Sequence, residues 1–295
     1  MTYVGRFAPS PTGPLHLGSI VTAVASFLHA RQAGGEWLVR IEDIDPPREV
    51  AGAAAAILRT LESLRLEWDR SVLYQSSRFA DYRAAAADLL AKGKAFRCDC
   101  SRTAIRAANE SATTRYPGTC RNRGLSGQDT AIRAFVAEGT DIRFVDGLQG
   151  EQSVPLDTTI GDYVVMRRDG LPSYHLAVVL DDAAQGITTV VRGVDLLEST
   201  PVHIHLQRTL GLPSPAYLHL PVLVNAAGQK LSKQTGAVPV AIGDASVAAR
   251  ALELLGLDVP ADVRREQPGS LWQWALAHWR IDSLRGQRAI PAPAT

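Results

Sequence analysis

Cysteine is scarce: three in 295 residues, at positions 98, 100 and 120. An odd number confined to one short stretch argues against a disulfide framework. It points instead to a metal site in a reducing compartment, so a cytoplasmic protein is expected. An excess of charge of one sign is also missing. Lysine and arginine total 31 against 30 acids, a net charge of +1, so no global field draws nucleic acid and any RNA contact must rest on local patches. No run of 18 apolar residues occurs, and neither a transmembrane helix nor a membrane partner is expected. The N-terminus has no basic stretch leading into an apolar core, so no secretory signal is expected. Internal repeats are absent. What is present, 46% hydrophobic and 21% charged residues, is ordinary for one large or two modest domains with a real core.

The most structured stretch lies near the start. Tyr3-Val-Gly-Arg-Phe-Ala8 reads as a strand, and Pro9, Pro11, Gly13 and Pro14 then impose an irregular loop. From Leu15 apolar residues recur at 17, 20, 21, 24, 27 and 28, a helical period that fades near Gly34-Gly35. A strand, a stiff loop and a helix opening at His16 and Gly18 form the outline of a phosphate site. The helix N-terminus offers unpaired N–H groups, and glycine lets a ligand approach the backbone.

Further along, Glu36–Glu42 reads as a buried strand ending in acids, 48–64 as a helix, Val72–Tyr74 as a short strand and Phe79–Ala91 as a helix stopped by Gly93. Such alternation means an α/β fold with a parallel sheet, whose ligands lie at the carboxyl ends of strands. Arg6 to Ser10 and Glu42 both fall at such ends. Cys98-Asp-Cys100 and Cys120 are close enough to share a zinc ion. No histidine lies between His29 and His175, so a local imidazole is not the fourth ligand. Between 94 and 133 eight basic residues (Lys94, Arg97, Arg102, Arg106, Arg115, Arg121, Arg123 and Arg133) face only Asp99, Glu110 and Asp129, a local surface suited to RNA phosphates. Short strand-like runs at 131–137, 141–149 and 161–168 read as an inserted α+β unit, with a turn at Asp169-Gly170. Thr200 reads as a helix cap before Pro201. Tyr217–Val224 reads as a strand. The end of the chain holds a few helices and a tryptophan cluster (Trp272, Trp274, Trp279) expected to pack. The segment from Ala289 to Thr295 is expected to be loose.

Arg6-Phe-Ala-Pro-Ser-Pro-Thr-Gly-Pro-Leu-His-Leu-Gly18 resembles the first signature of class I aminoacyl-tRNA synthetases, the His-x-Gly-His type, here written His16-Leu-Gly-Ser19. Its opening is similar to the glutamate and glutamine branch. Lys230-Leu-Ser-Lys-Gln234 resembles the second signature, the Lys-Met-Ser-Lys-Ser loop. Either string alone is a common pattern, but the two together, in a resemblance spanning most of residues 2–240, are specific. The resemblance implies a doubly wound parallel-sheet (Rossmann-type) catalytic domain at 1–97 and 181–240. It also implies an inserted α+β zinc-containing subdomain at 98–180 and a short helical region at 241–295.

Carried over residue by residue, the resemblance implies that Arg6, Ala8, Ser10 and Glu42 contact glutamate. Tyr174 and Arg192 complete that pocket, with Arg192 on the side-chain carboxylate, and Asp195 falls near the ribose or the amino acid. On the residues alone, an ion pair with Asp181 or Asp182 is the other reading of Arg192. His16, Gly18, Ser19, Lys230 and Lys233 would bind ATP. His16, Lys230 and Lys233 would be catalytic, meeting the charge that builds on the departing pyrophosphate. Magnesium would arrive with ATP, without a dedicated protein cage. The segment Tyr116-Pro-Gly-Thr-Cys120 is similar to that of the glutamyl-queuosine tRNA(Asp) synthetases. In that family the tyrosine completes a zinc site, implying Cys98, Cys100, Tyr116 and Cys120 around one structural Zn2+.

Only residues 234–295 follow Lys233, too few for the helical anticodon-binding region of a glutamyl-tRNA synthetase. The expected activity is therefore that of the queuosine branch: ATP-dependent, tRNA-independent activation of L-glutamate, then transfer to queuosine in tRNA(Asp), by a monomer. The competing expectations are a shortened glutamyl-tRNA synthetase that charges tRNA(Glu) and a non-catalytic tRNA-binding relative.

Overall fold

The structure is a computed structural model and describes residues 2–108, 115–127, 129–231, 239–244 and 246–292. Strand β1 (Val4–Phe7) is fully buried. After it, Pro9, Pro11, Pro14 and Gly13 (φ 130°) keep the chain irregular until helix α1 (Leu17–Gln32). β2 (Glu36–Ile41) returns beside β1 in parallel register, Val4 opposite Glu36 and Phe7 opposite Val39. The helix expected at 48–64 is shorter than its composition indicated. A 3-10 turn at Pro46–Arg48 comes first, and α2 (Ala53–Ser63) begins only after Gly52, whose φ of 77° lies outside helical space. β3 (Leu73–Tyr74) extends the sheet in parallel beside β2, and α3 (Phe79–Ala91) ends before Gly93 (φ 62°).

β4 (Ala95–Cys98), β5 (Ala131–Ala134) and β8 (Val164–Met166) form a separate antiparallel sheet, with α4 (Arg102–Ala107) leading away from the cysteines. Between β5 and β8 the chain makes the hairpin β6 (Asp141–Asp146) and β7 (Gly150–Pro155), then the single turn α5 (Leu156–Thr159). α6 (Tyr174–Gln185) follows, then β9 (Thr189–Gly193), a 3-10 segment at Val194–Ser199, α7 (Thr200–Leu210) and β10 (Ala216–Leu220). β10 pairs in parallel with β9 on one side and β6 on the other. Although β6 and β7 lie within 98–180, they extend the sheet of the second half. Thr188 N–H donates to Val4 O at 2.9 Å, and this sets β9 beside β1. Strands from the two halves thus meet at β1 and β9, the kind of junction where open α/β sheets bind ligands.

Three local expectations need correction. Ser199, not Thr200, precedes α7; Thr200 is its first helical residue and spends its hydroxyl elsewhere. The strand expected at Tyr217–Val224 is broken at Pro221, beyond which β11 (Val222–Val224) forms a different pair. The C-terminal segment is not wholly loose. After α8 (Ser246–Leu254) and α9 (Pro268–His278), β12 (Ala289–Pro291) lies parallel to β11, with Ile290 opposite Leu223.

The main core sandwiches α1 between the sheet and these last helices. Ile20, Val24 and Leu28 are buried with Trp37, Trp272 and Trp279. Trp37 stacks on Phe7 and donates its indole N–H to Ser26, and Trp272 donates to Leu64 O at 2.7 Å. Trp272 and Trp279 are therefore packing residues, as expected. Among the described residues no helix is long and apolar enough to cross a membrane.

Candidate active site

A cavity of about 570 Å³ opens at the carboxyl ends of β1 and β9. Its lining brings together Arg6, Ala8, Ser10, His16, Gly18, Ser19, Glu42, Tyr174, Arg192 and Lys230. These are the glutamate and ATP residues expected from the sequence, except Lys233, which lies outside the described residues.

At the loop end of the cavity His16 is the N-cap of α1. Its Nδ1 accepts from Ser19 N–H at 3.2 Å, so the neutral ring carries its proton on Nε2. A Cβ on residue 18 would stand 3.1 Å from His16 Cε1, so Gly18 serves the histidine's cap geometry as well as ligand approach. Lys230, also in the lining, donates from Nζ to Asp195. The expectation for Asp195, near ribose or amino acid, becomes specific: its carboxylate holds the first lysine of the second loop. Gly193 makes this fit, since a Cβ there would be 2.4 Å from Asp195 Oδ1.

At the inner end the charges are buried. Glu42 N–H donates to Pro9 O at 3.0 Å, which fixes Glu42 beside the first loop. Arg6 Nε donates to Asp182 Oδ1 at 3.2 Å, and both side chains are 4% exposed. Arg40 Nη2 lies 2.8 Å from the same oxygen, close in charge but without an aligned hydrogen bond, and 3.8 Å from Glu42 Oε1. Burial pushes the Glu42 carboxyl up to about 7, against the pull of Arg40 and Arg6. Asp182 stays below the usual carboxylate range, because Arg6 and Arg40 outweigh its burial.

Arg192, 5% exposed, has no carboxylate within salt-bridge distance among the described residues. Neither Asp181 nor Asp182 is its partner. Asp181 accepts from Gln75, Arg78 and Tyr82, and Asp182 serves Arg6 and Arg40. The guanidinium meets neutral acceptors instead: His219 Nε2 at 3.0 Å, Thr200 Oγ1 at 2.8 Å, Leu196 O at 3.2 Å and Tyr174 Oη at 3.2 Å. Burial and Arg192 itself push His203 and His175 well down, so both rings remain neutral. Because Tyr174 Oη accepts from Arg192, its own proton is left to donate toward the cavity. Ser173 caps α6 through Leu176 N–H, and this places Tyr174 at the helix start facing the site. The result is a buried cation surrounded by neutral groups and lining the cavity, an arrangement that favours an entering carboxylate.

Sequence reasoning missed the supports behind these groups: Asp182 and Arg40 behind Arg6 and Glu42, and Thr200, His203, His219 and Asp146 behind Arg192. A polar residue within an otherwise apolar strand, such as His219 in Tyr217-Leu-His-Leu220, was the available signal.

The cysteine cluster lies apart from this cavity. The three Sγ atoms lie within 4.8 Å of one another. Cys100 and Cys120 are 3.4 Å apart, and Tyr116 Oη is 3.4 Å from Cys98 Sγ and 3.9 Å from Cys100 Sγ. A tetrahedral site with sulfur at about 2.3 Å has edges of about 3.8 Å, so these donors fit a zinc ion. The Arg133 guanidinium lies 4.0 Å above the Tyr116 ring. Much of the local basic charge is spent on structure. Arg121 grips Asp162 through two nitrogens, Arg123 pairs with Asp99, and Arg115 holds Asp157 O. Lys94, Arg102 and Arg106 remain exposed.

The catalytic-domain family of class I tRNA synthetases (E and Q) matches residues 3–248. A glutamyl-Q tRNA(Asp) synthetase from Pseudomonas paraeruginosa is 49% identical over 291 residues, 98% of this chain and 98% of its own. One of the same name from Thiobacillus denitrificans is 51% identical over 297 residues, covering 99% and 98%. The crystal structure of a glutamate tRNA ligase from Elizabethkingia meningosepticum, in complex with its amino acid, superposes with a TM-score of 0.80. It is 25% identical and spans 98% of this chain and 67% of that one. On its sequence and on the cavity built at β1 and β9, this chain belongs to the class I tRNA synthetases of the E and Q catalytic-domain family.

Proposed function

We propose that the protein activates L-glutamate with ATP, without tRNA, and transfers it to the queuosine base in the anticodon loop of tRNA(Asp). The observation that carries the glutamate assignment is Arg192, a buried guanidinium with only neutral partners among the described residues, in a cavity that His16 and Lys230 also line. The acceptor assignment is supported by relatives named for glutamyl-Q tRNA(Asp), which match over 98% of their own length.

In the first step Arg192, Arg6 and Tyr174 hold the side-chain carboxylate of glutamate, and Glu42 receives its α-ammonium. An α-carboxylate oxygen attacks the α-phosphorus of ATP. A carbon-bound oxygen–phosphorus bond forms, the bond to the β-phosphate bridge breaks, and pyrophosphate leaves. His16 Nε2–H and the N-terminal turn of α1 at Gly18 and Ser19 face the phosphates, and Lys230 and Lys233 meet the charge on the leaving group. Lys230 would exchange Asp195 for phosphate as ATP enters. Magnesium travels with the nucleotide. In the second step a hydroxyl of the queuosine cyclopentene ring attacks the adenylate carbonyl and AMP departs.

Cys98, Cys100, Tyr116 and Cys120 would hold one zinc ion. With four protein donors it has no open position and serves structure, stabilising the stretch that carries α4. Residues 98–180 act as the inserted unit. Lys94, Arg102 and Arg106 supply its exposed charge for RNA.

The test is incubation of labelled glutamate and ATP with queuosine-containing tRNA(Asp), queuosine-free tRNA(Asp) and tRNA(Glu). Label on the first alone is expected. Label on tRNA(Glu) would establish a 3′-end synthetase instead. Absence of glutamate-dependent pyrophosphate exchange would establish a binding relative.

A further inference from the structure

A second cavity of about 670 Å³ adjoins the first. The two share Ser10, Thr12, Glu42, Arg48 and Tyr174, and of these Glu42 and Tyr174 are proposed to hold glutamate. None of the described residues proposed for ATP lines the second cavity: His16, Gly18, Ser19 and Lys230 belong to the first alone. The second cavity is walled by β8, the start of α6 and the loop before α2, and its lining includes Arg102 of α4, from the cysteine-bearing stretch.

This arrangement solves a geometric problem of the transfer step. With glutamate in the inner pocket and AMP at the α1 end, an acceptor must reach the carbonyl carbon from a direction that neither occupies. The second cavity provides such an approach. Its volume suits a modified purine nucleoside. Its charges are sorted. Asp45 is already neutralised by Arg48 and Arg167, whereas Glu49 and Arg102 make no ion pair among the described residues. A carboxylate and a guanidinium without ion-pair partners among the described residues, both in the lining, match a ligand that carries an ammonium and a phosphate.

We infer that the second cavity is the acceptor site: it receives an extruded deazapurine nucleoside bearing a cyclic diol on a secondary amine, with Glu49 on its ammonium and Arg102 on the adjoining backbone phosphate. The inference rests on the functional reading above. In the transfer, a diol oxygen forms a bond to the glutamyl carbonyl carbon, and the bond from that carbon to the phosphate oxygen breaks. AMP leaves and takes up the hydroxyl proton on its phosphate.

The two half-reactions separate the test cleanly. Glu49→Gln and Arg102→Ala are assayed for glutamate-dependent ATP–pyrophosphate exchange and for transfer of labelled glutamate to queuosine-containing tRNA(Asp). Each substitution is expected to slow transfer about ten-fold or more, the worth of one charge-assisted hydrogen bond, and to leave exchange within about two-fold of the parent. Transfer at the parental rate in both variants overturns the assignment. So does an equal fall in exchange and transfer, which would place these residues with the first cavity. If the unsubstituted protein labels tRNA(Glu) rather than queuosine-containing tRNA(Asp), the functional reading itself fails and the acceptor assignment fails with it.

Discussion

His219 Nδ1 lies 2.6 Å from Asp146 Oδ2, and neither side chain is exposed. Burial pushes the Asp146 carboxyl up, but His219 and the N–H groups of Gln149 and His219 outweigh it and keep the group ionised. Burial pushes His219 down, so its ring is neutral, with the proton on Nδ1 toward Asp146 and the lone pair on Nε2 toward Arg192 Nε. Asp146 thereby sets the tautomer that lets His219 accept from Arg192. Asp146→Asn would offer an amide N–H in place of an acceptor, turning the His219 proton toward Arg192. The expected result is a KM for glutamate raised by about ten-fold and a KM for ATP changed by less than about two-fold. Steady-state pyrophosphate exchange with each substrate varied would show it, and equal changes in both KM values would count against this role.

Glu42 gives a pH signature of defined sign. Its folded-state value of about 7 stands above the ordinary 4.5 because of burial, opposed by Arg40 and Arg6. A carboxyl raised on folding favours the folded state fully below pH 4.5, and that contribution is lost as pH rises through about 7. Across this window the parent should lose on the order of 2–4 kcal/mol relative to Glu42→Gln, read as a Tm difference that grows with pH. Ligand binding runs the other way, because the α-ammonium requires the carboxylate. KM for glutamate should rise as pH falls below about 7, and a flat KM from about pH 6 to 8 would contradict the assignment.

Elements were legible in the sequence where local chemistry decides them. Phe79–Ala91 is a helix over the range its pattern indicated, because Gly93 at φ 62° ends it. The Pro/Gly loop before α1 is irregular because its residues permit little else. The supports of the site were not legible because they arise between strands far apart in sequence. Asp146 reaches His219 only because β6 pairs with β10, and Asp182 of α6 meets Arg6 of β1 across a sequence separation of 176 residues. The tail at 289–291 misled for a related reason. Its prolines forbid a central strand, yet among the described residues β12 has only β11 as a partner, and an edge strand tolerates proline.

The cysteine cluster predicts its own assay. Freshly purified protein should carry one equivalent of zinc, and less than about a tenth of an equivalent would refute the site. Tyr116→Phe keeps the three thiolates but removes the oxygen that lies 3.4 Å from Cys98 Sγ and accepts from Cys120 N–H at 2.9 Å. Its zinc should exchange to a chelator faster than the parent's. Removal of zinc from the parent should lower Tm, since metal binding contributes to the folded state alone. Equal exchange rates for parent and Tyr116→Phe would make the tyrosine a packing residue rather than a ligand.

The two loop lysines should act on chemistry rather than on amino-acid binding. Lys230 is 46% exposed, held by Asp195, and lines the same cavity as His16. Lys230→Ala and Lys233→Ala should each lower kcat for pyrophosphate exchange by about 100-fold, the scale for losing a cation that meets transition-state charge, with KM for glutamate little changed. The reasoning is one of timing. The pyrophosphate leaving group gains charge only as the bond to the α-phosphorus breaks, so a lysine that meets it stabilises the transition state more than either bound substrate. A variant whose kcat is preserved while KM for glutamate rises would place that lysine at the amino acid, and would require a different residue to face the departing phosphates.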